Sequence, residues 1–321
     1  MKEAPEVKSI ILGTRGSALA LAQAEMAESA LRAVFPDLDI KRRVIKTTGD
    51  RRTDIPLSEV ARAADMDKGV FTKELEVSLQ NGDIDIAVHS LKDMPSLLDE
   101  EFSIAAVLPR ASREDVLIGK ESGGLEGLRR GAKVATSSVR RRRLLESMRP
   151  DLEIVDIRGN VPTRIRKLRE SEELEGLLLA KAGLCRLELL HDGVVDSGGE
   201  VLYVEELDET VFVPAAGQGA VGLEIRSGDM NALNACKEVN DGNTMRVVAA
   251  ERRFLALLGA GCETPVGVAA EIEEDGEIRL RAVVFEDGEN VPLRGEVLGA
   301  GDDPEGLAVK LLAAMKDSKS S

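Results

Sequence analysis

The sequence predicts an α/β protein of two lobes with mixed, mainly parallel sheets, followed by a small C-terminal α+β domain. Three observations carry this. Short apolar runs alternate with runs of helical spacing over residues 9–108, and the alternation restarts at Asp115. After Leu258 three strand patterns follow one another before a last helix. Polar residues gather where strands end and helices begin, the edge at which open α/β sheets bind ligands. A chain of 321 residues can bury two or three cores. The expected divisions are 1–109 with 217–240, then 110–216, then 241–321.

Ser9–Arg15 reads as a strand that runs into Gly16-Ser17. Ser17 is placed to cap a helix on which Leu19, Ala22, Met26, Ala30 and Val34 recur at helical spacing. Asp39–Thr47 is strand-like, and the charge-rich stretch Thr48–Gly69 is a long loop of the kind that often carries function. Phe71–Asn81 reads as a helix closed by Gly82; Ile84–Val88 is a strand leading into His89-Ser90-Leu91-Lys92-Asp93-Met94-Pro95; Phe102–Leu108 is another. In the second half Lys133–Ala135, Glu153–Ile157 and Leu177–Ala180 are strands. Val139–Met148 and Pro162–Glu170 are helices, the second with proline in its first turn. The tail gives a helix over Thr244–Leu258, strands over Val266–Glu273, Glu277–Phe285 and Asn290–Leu298, and a helix over Pro304–Lys316. Asp275-Gly276 and Asp287-Gly288 mark its turns.

The formal net charge of -15 disfavours nucleic acid and anionic membranes as partners. Yet residues 129–169 hold thirteen Lys/Arg against four Asp/Glu. One arginine-rich region in an acidic chain fits a small polyanion held in a cleft; a solvated basic face is the plainer alternative. No apolar run is long enough to span a bilayer, and the first residues lack a signal-peptide core, so a cytoplasmic location is expected. The cysteines are Cys185, Cys236 and Cys262, an odd and sparse set that argues for a reducing compartment. Far apart, and with only His89 and His191 to join them, they argue against zinc. Cys185 and Cys236 lie in helical, apolar surroundings and read as packing thiols. Cys262 instead lies in Gly259-Ala260-Gly261-Cys262-Glu263-Thr264-Pro265, a turn where a reacting group could approach its sulfur. A buried thiol capping a tight turn is the competing reading.

Eight stretches stand in order: Thr14-Arg15-Gly16-Ser17-Ala18-Leu19-Ala20, Lys73-Glu74-Leu75-Glu76, Asp85 through Pro95, Thr136-Ser137-Ser138-Val139-Arg140-Arg141, Arg158-Gly159-Asn160-Val161, Ala182-Gly183-Leu184, Pro214 through Gly222, and the Cys262 turn. Together they resemble the porphobilinogen deaminase (hydroxymethylbilane synthase) family. The ordered set is far more specific than any one member. The resemblance implies two periplasmic-binding-protein-like lobes and a dipyrromethane cofactor held by a thioether to Cys262. It implies a catalytic aspartate at Asp93. Cofactor contacts fall to Lys92, Ser137, Arg140, Arg141, Arg158 and Arg164, and substrate contacts to Arg15, Ser17, Arg186, Lys68 and Phe71. The implied reaction joins four porphobilinogen molecules, with loss of four ammonias, into the linear tetrapyrrole hydroxymethylbilane. No metal is implied, and a monomer without nucleic-acid or membrane partners is expected. The family's glycine-rich run before the lid phenylalanine is replaced here by Ala64-Asp65-Met66-Asp67-Lys68-Gly69-Val70-Phe71.

The residue types suit that chemistry on their own terms. Each pyrrole carries an acetate and a propionate, so the growing chain is a polyanion. Arginine stays charged and grips carboxylates two-pronged. Loss of ammonia leaves a positively charged azafulvene that a nearby carboxylate can stabilise. An extended segment would turn Lys92 and Asp93 to opposite sides. Ser17, Ser137 and Ser138 could instead cap helices, Arg142 and Arg143 read as solvated, and His89 as a structural hydrogen-bond partner. Gln218 is expected at the return from the second lobe to the first. The rival function is a two-lobed anion-binding module, which has no need of Cys262; a nucleic-acid role is disfavoured by one Tyr, no Trp and the net charge.

Overall fold

A computed structural model describes residues 8–48, 71–259, 264–286, 288–289 and 291–319. The first sheet has the order β2 (Asp39–Ile45), β1 (Ser9–Arg15), β3 (Ile86–Ser90), β11 (Val221–Arg226), β4 (Phe102–Val107). The second has the order β7 (Glu153–Val155), β6 (Lys133–Ala135), β8 (Leu174–Ala180), β5 (Asp115–Gly119), β10 (Glu200–Glu206), β9 (Val194–Ser197). A third sheet, β12 (Val266–Ile272), β13 (Ile278–Val284), β14 (Leu293–Gly299), is an antiparallel meander.

The mixed orientation is as expected, but the mainly parallel part of that expectation is corrected. In the first sheet β1 pairs in parallel with β2 and β3, while β11 is antiparallel to both β3 and β4. In the second, β6 is parallel to β7 and β8, and the three remaining pairings are antiparallel. The reason is the return of the chain. β11 arrives from the second sheet and enters the first sheet against the direction of β3, and β9–β10 is a hairpin. Hydrophobic periodicity reports whether a segment is a strand, not which neighbour it will meet.

Among the described residues the α-helices are α1 (Ala18–Val34), α2 (Lys73–Gln80), α3 (Gly124–Gly127), α4 (Val139–Met148), α5 (Val161–Glu170), α6 (Lys181–Arg186), α7 (Met230–Val239), α8 (Gly242–Leu258) and α9 (Pro304–Lys319). Six carry side-chain caps: Ser17, Ser138, Asn160, Asp229, Asp241 and Asp303 each accept a hydrogen bond from a first-turn N–H. Such a cap contributes about 1 kcal/mol and fixes where the helix starts. The start matters here, because α1, α4 and α5 begin beside the residues singled out above.

The third sheet, backed by α8 and α9, rests on both larger sheets. One core runs from Leu91, Met94 and Val107 into Val248, Phe254, Val268 and Leu280. Another joins Leu144, Leu178 and Phe212 to Ala269 and Phe285. The two chain crossings between the larger sheets lie side by side: Leu108 N donates to Val221 O and Ala111 N to Gly219 O. Gly219 has φ +84, and a Cβ there would stand 2.4 Å from Ala111 O, so only glycine permits this approach.

Glu251 of α8, wholly buried, grips both crossings. Its carboxylate takes Arg110 Nη1 and Nη2 at 2.7 and 3.0 Å, Gly217 N at 2.7 Å, and Ala270 N of β12 at 2.9 Å. Removing one partner of a buried ion pair leaves the other charge stranded, at about 3–5 kcal/mol. Glu251→Leu is therefore expected to lower the unfolding free energy by an amount of that size, read as a lower urea midpoint. An unchanged midpoint would show that this clamp does not hold the crossings.

Candidate active site

The functional candidates stand at carboxyl ends of parallel strands. β1 ends on Arg15, β3 leads to Lys92 and Asp93, β6 to Ser137, β7 to Arg158, and β8 to α6 with Arg186. After β3 the chain does not stay extended. Leu91–Asp93 form a 3-10 turn, pinned by Leu91 N to Ala220 O and Met94 N to Leu91 O. The expectation that Lys92 and Asp93 point oppositely is thus corrected: a three-residue turn separates successive side chains by about a third of a revolution. Lys92 Nζ reaches Gln218 Oε1 at 3.4 Å.

Asp93 Oδ2 lies 3.9 Å from Arg15 Nη1, and the Arg15 guanidinium sits 4.1 Å from the centre of the Phe71 ring. These three and Ser17 line one recess, with Gln23 and Ser90 in its wall. Gln23 Nε2 donates to Ser90 Oγ at 2.7 Å, which stiffens that wall. Arg140 and Arg141 of α4 are nearly buried, and both bond to Asp115. Arg164 Nε donates to Gly159 O at 2.7 Å, and Arg186 Nη2 to Gly219 O at 2.7 Å.

Their charges act on one another. Burial, then the like charges of Arg141 and Arg158, push the Arg164 guanidinium down to about 10, with Asp93 acting the other way. Lys92 is open to solvent yet walled by protein on most sides. That crowding first, then Arg141 and Arg140, pushes its amine down to about 8 against the pull of Asp93 and Asp115. Burial likewise lowers Arg141, Arg158 and Arg186. Arg141 and Arg164, carried by the second sheet, therefore lie near enough to Asp93, carried by the first, for their charges to act on one another.

Residues 10–234 match the family model "Porphobilinogen deaminase, dipyromethane cofactor binding domain", and residues 245–317 match "Porphobilinogen deaminase, C-terminal domain". The chain belongs to the porphobilinogen deaminase family. A curated relative of that name from Syntrophomonas wolfei is 42% identical over 278 residues, 87% of this chain and 85% of its own length. One from Roseiflexus sp. is 40% identical over 311 residues, 97% and 96%. Among solved structures a methionine binding protein aligns at 15% identity over 80% of this chain and 98% of its own, with a TM-score of 0.42, too low to bear on the fold. As a porphobilinogen deaminase the chain is a transferase of tetrapyrrole synthesis, and dipyrromethane is its cofactor.

The donor set fits such a cofactor, whose rings carry carboxylates. Arg140 Nε and Arg186 Nε are buried without a hydrogen-bond partner among the described residues, and buried donors of that kind call for an acceptor. Cys262 and Lys68 lie outside the described residues, as does the deaminase lid run before Phe71.

Several expectations need correction or refinement. Ser17 and Ser138 do cap helices, whereas Ser137 Oγ donates to Ile157 O at 2.5 Å and accepts from Ile157 N at 3.1 Å. Ser137 thereby ties the end of β6 to the segment that carries Arg158. Arg142 and Arg143 are not simply solvated. Arg142 bonds Ile154 O and Asp156, while Arg143 bonds Glu289 O and lies over Phe285, because α4 packs against β7 on one side and the third sheet on the other. Cys185 is exposed rather than packed, since α6 is a short helix with one face to solvent. Cys236 is buried, which pushes its thiol up to about 12. His89 makes the expected structural bond, to the buried Glu224 at 2.8 Å. Gln218 lies on the second crossing and also joins Lys92 to Asp115. Asp115 itself was overlooked as a site residue. An aspartate set directly against the apolar run Val116-Leu117-Ile118, the second of the pair Glu114-Asp115, was the available signal.

Proposed function

We propose that this chain condenses four porphobilinogen molecules, with loss of ammonia from each, onto a dipyrromethane primer attached by a thioether to Cys262, and releases hydroxymethylbilane by hydrolysis. The observation that carries the reading is Asp93, the carboxylate set 3.9 Å from Arg15 and within reach of the charges of Lys92, Arg141 and Arg164. The primer supplies the pyrrole end on which the chain grows. Arg140, Arg158, Arg164 and Lys92 hold its acetates and propionates, while Arg141 contributes its charge from its place on Asp115 and Ser137 fixes the segment that carries Arg158. Arg15, Ser17, Arg186, Lys68 and Phe71 receive the incoming porphobilinogen, with Phe71 also backing the Arg15 guanidinium.

Asp93 carries the chemistry. As ammonia leaves, positive charge develops on the substrate pyrrole, and a fixed carboxylate beside it lowers the energy of that state. The same carboxylate takes up the proton released on coupling. Arginines act by orientation and by offsetting the growing negative charge. Residues 1–109 with 217–240, 110–216 and 241–321 act as two lobes and a cofactor-bearing domain; the side-by-side crossings and separate sheets support this division. The chain works as a cytoplasmic monomer with no nucleic-acid or membrane partner. Its net charge of -15 supports this, and among the described residues no helix is long and apolar enough to cross a membrane. Retention on heparin at moderate salt would count against it.

The test of the whole reading is incubation with porphobilinogen, following linear tetrapyrrole by absorbance and the protein by intact mass. Protein that stays at bare mass and forms no tetrapyrrole would leave the anion-binding module as the better account. Within the site, Arg140→Leu or Arg158→Leu removes a charge-assisted hydrogen bond of about 1.5–3 kcal/mol. Affinity for primer or growing chain should fall about tenfold to a hundredfold. Arg143→Leu should do far less, because its guanidinium serves Glu289 O and Phe285. Equal losses in all three variants would mean that general charge, not a defined site, binds the ligand.

A further inference from the structure

We propose that Asp115 is a positioning residue that makes the two consecutive arginines unequal, locking Arg141 in place and leaving one edge of Arg140 for a ligand carboxylate. Asp115 opens β5 and is wholly buried. Its Oδ1 accepts Arg141 Nε at 2.9 Å, with Arg141 Nη2 in ion-pair contact 2.8 Å away, and Gln218 Nε2 at 2.9 Å; its Oδ2 accepts Arg140 Nη1 at 2.7 Å. The Nε/Nη2 edge is one of the two sides by which a guanidinium grips a carboxylate two-pronged, and the Nη1/Nη2 end of Arg140 is already engaged through Nη1. In Arg141 that edge is spent on Asp115, and Nη1 donates to Leu178 O. In Arg140 the opposite holds. Nη1 serves both Asp115 and Val213 O, whereas Nε is buried without a partner and Nη2 enters no hydrogen bond among the described residues.

An unsatisfied buried guanidinium donor is costly, so an arrangement that keeps one needs a reason. Asp115 supplies the fixed point: it holds Arg140 by the other end and turns the open edge away from itself. It also lets the cations stand together. Burial resists its charge, but Arg140 and Arg141 outweigh that and hold its carboxyl well below the usual carboxylate range. Through Gln218 the same carboxylate is joined to Lys92. The groups whose charges bear on Lys92 are Asp93 on its own turn, Asp115 from β5, and Arg140 and Arg141 from α4.

This inference rests on the deaminase reading, and the experiment separates the two. Wild-type protein and Asp115→Asn are made in cells unable to form porphobilinogen, then incubated with it while intact mass is followed. Wild type should gain two pyrrole units; if it does not, the deaminase reading itself fails. Asp115→Asn should load at least about tenfold more slowly, the loss of one oriented charge-assisted contact. The alkaline limb of kcat/KM, expected near pH 8 where Lys92 loses its proton, should move to lower pH, because Asp115 helps keep that proton on. Asp115→Glu, which retains the charge, should restore the limb. Where Asp115→Asn does not fold, the double variant Asp115→Asn/Arg141→Met removes one buried cation together with the anion and leaves Arg140 unpinned; it should load as slowly. Wild-type loading in Asp115→Asn or in the double variant, or an alkaline limb that stays in place in Asp115→Asn, overturns the proposal.

Discussion

Cys262→Ser is expected to emerge from cells at its bare sequence mass and to make almost no linear tetrapyrrole, while wild type is heavier by two pyrrole units. A thioether needs a sulfur nucleophile, and the reactive form is the thiolate. A serine hydroxyl at neutral pH is far less ionised and far less nucleophilic toward a soft electrophile. The informative control is Cys185. It is exposed, so it is open to the same electrophile, and Cys185→Ser should nevertheless keep both the added mass and the activity. Cys236→Ser should do the same, since burial holds that thiol protonated, its pKa pushed up to about 12. If the added mass disappears with Cys185 rather than with Cys262, the attachment site is misassigned.

Asp93→Ala should lower kcat by about a hundredfold to a thousandfold, the range seen when one preorganised electrostatic contact to a charged transition state is lost. KM should change less, because the cations that hold the substrate carboxylates remain. Cys262 stays available, so a primed fraction, if formed, should stall rather than extend. A mass ladder after brief exposure to porphobilinogen distinguishes the cases. Stalled protein shows primer mass alone, whereas extending protein shows successive additions of one pyrrole. A variant within about threefold of wild type would move the acid–base role away from Asp93. Arg15 gives a further check. Its guanidinium stands 3.9 Å from the Asp93 carboxylate, so Arg15→Leu should disturb both binding and rate, whereas Arg143→Leu should disturb neither.

Much of the fold was legible because periodicity is a local property. Helices α1, α4, α8 and α9 and strands β1, β3, β12 and β13 were expected within a few residues of where they lie. β11 was not: Val-Gly-Leu-Glu-Ile-Arg carries Gly222 and Glu224 inside a strand that is buried on both faces, and no alternating pattern reveals it. β9 and β10 escaped because their apolar runs, Val194-Val195 and Val201-Leu202-Tyr203-Val204, are short and do not alternate with polar residues. The orientation of β5 and β11 was illegible in principle, since a strand reads the same whichever way its neighbour runs.

At the site, the sequence by itself determined the inventory: the arginines, the Lys92-Asp93 pair, the phenylalanine at residue 71, and the glycine-flanked Cys262, in an order that resembles one family. Chemistry constrains residue type strongly, so those positions could be read directly. Only the tertiary structure decided how the charges divide. It set Arg15 against Asp93, turned Lys92 toward Gln218, and buried Asp115 between Arg140 and Arg141. Those pairings join residues 25 to 126 positions apart in the chain. They exist because burial makes an unpaired charge too costly to leave, and the cheapest available partner is whichever group folding brings near. Sequence spacing carries no record of that choice.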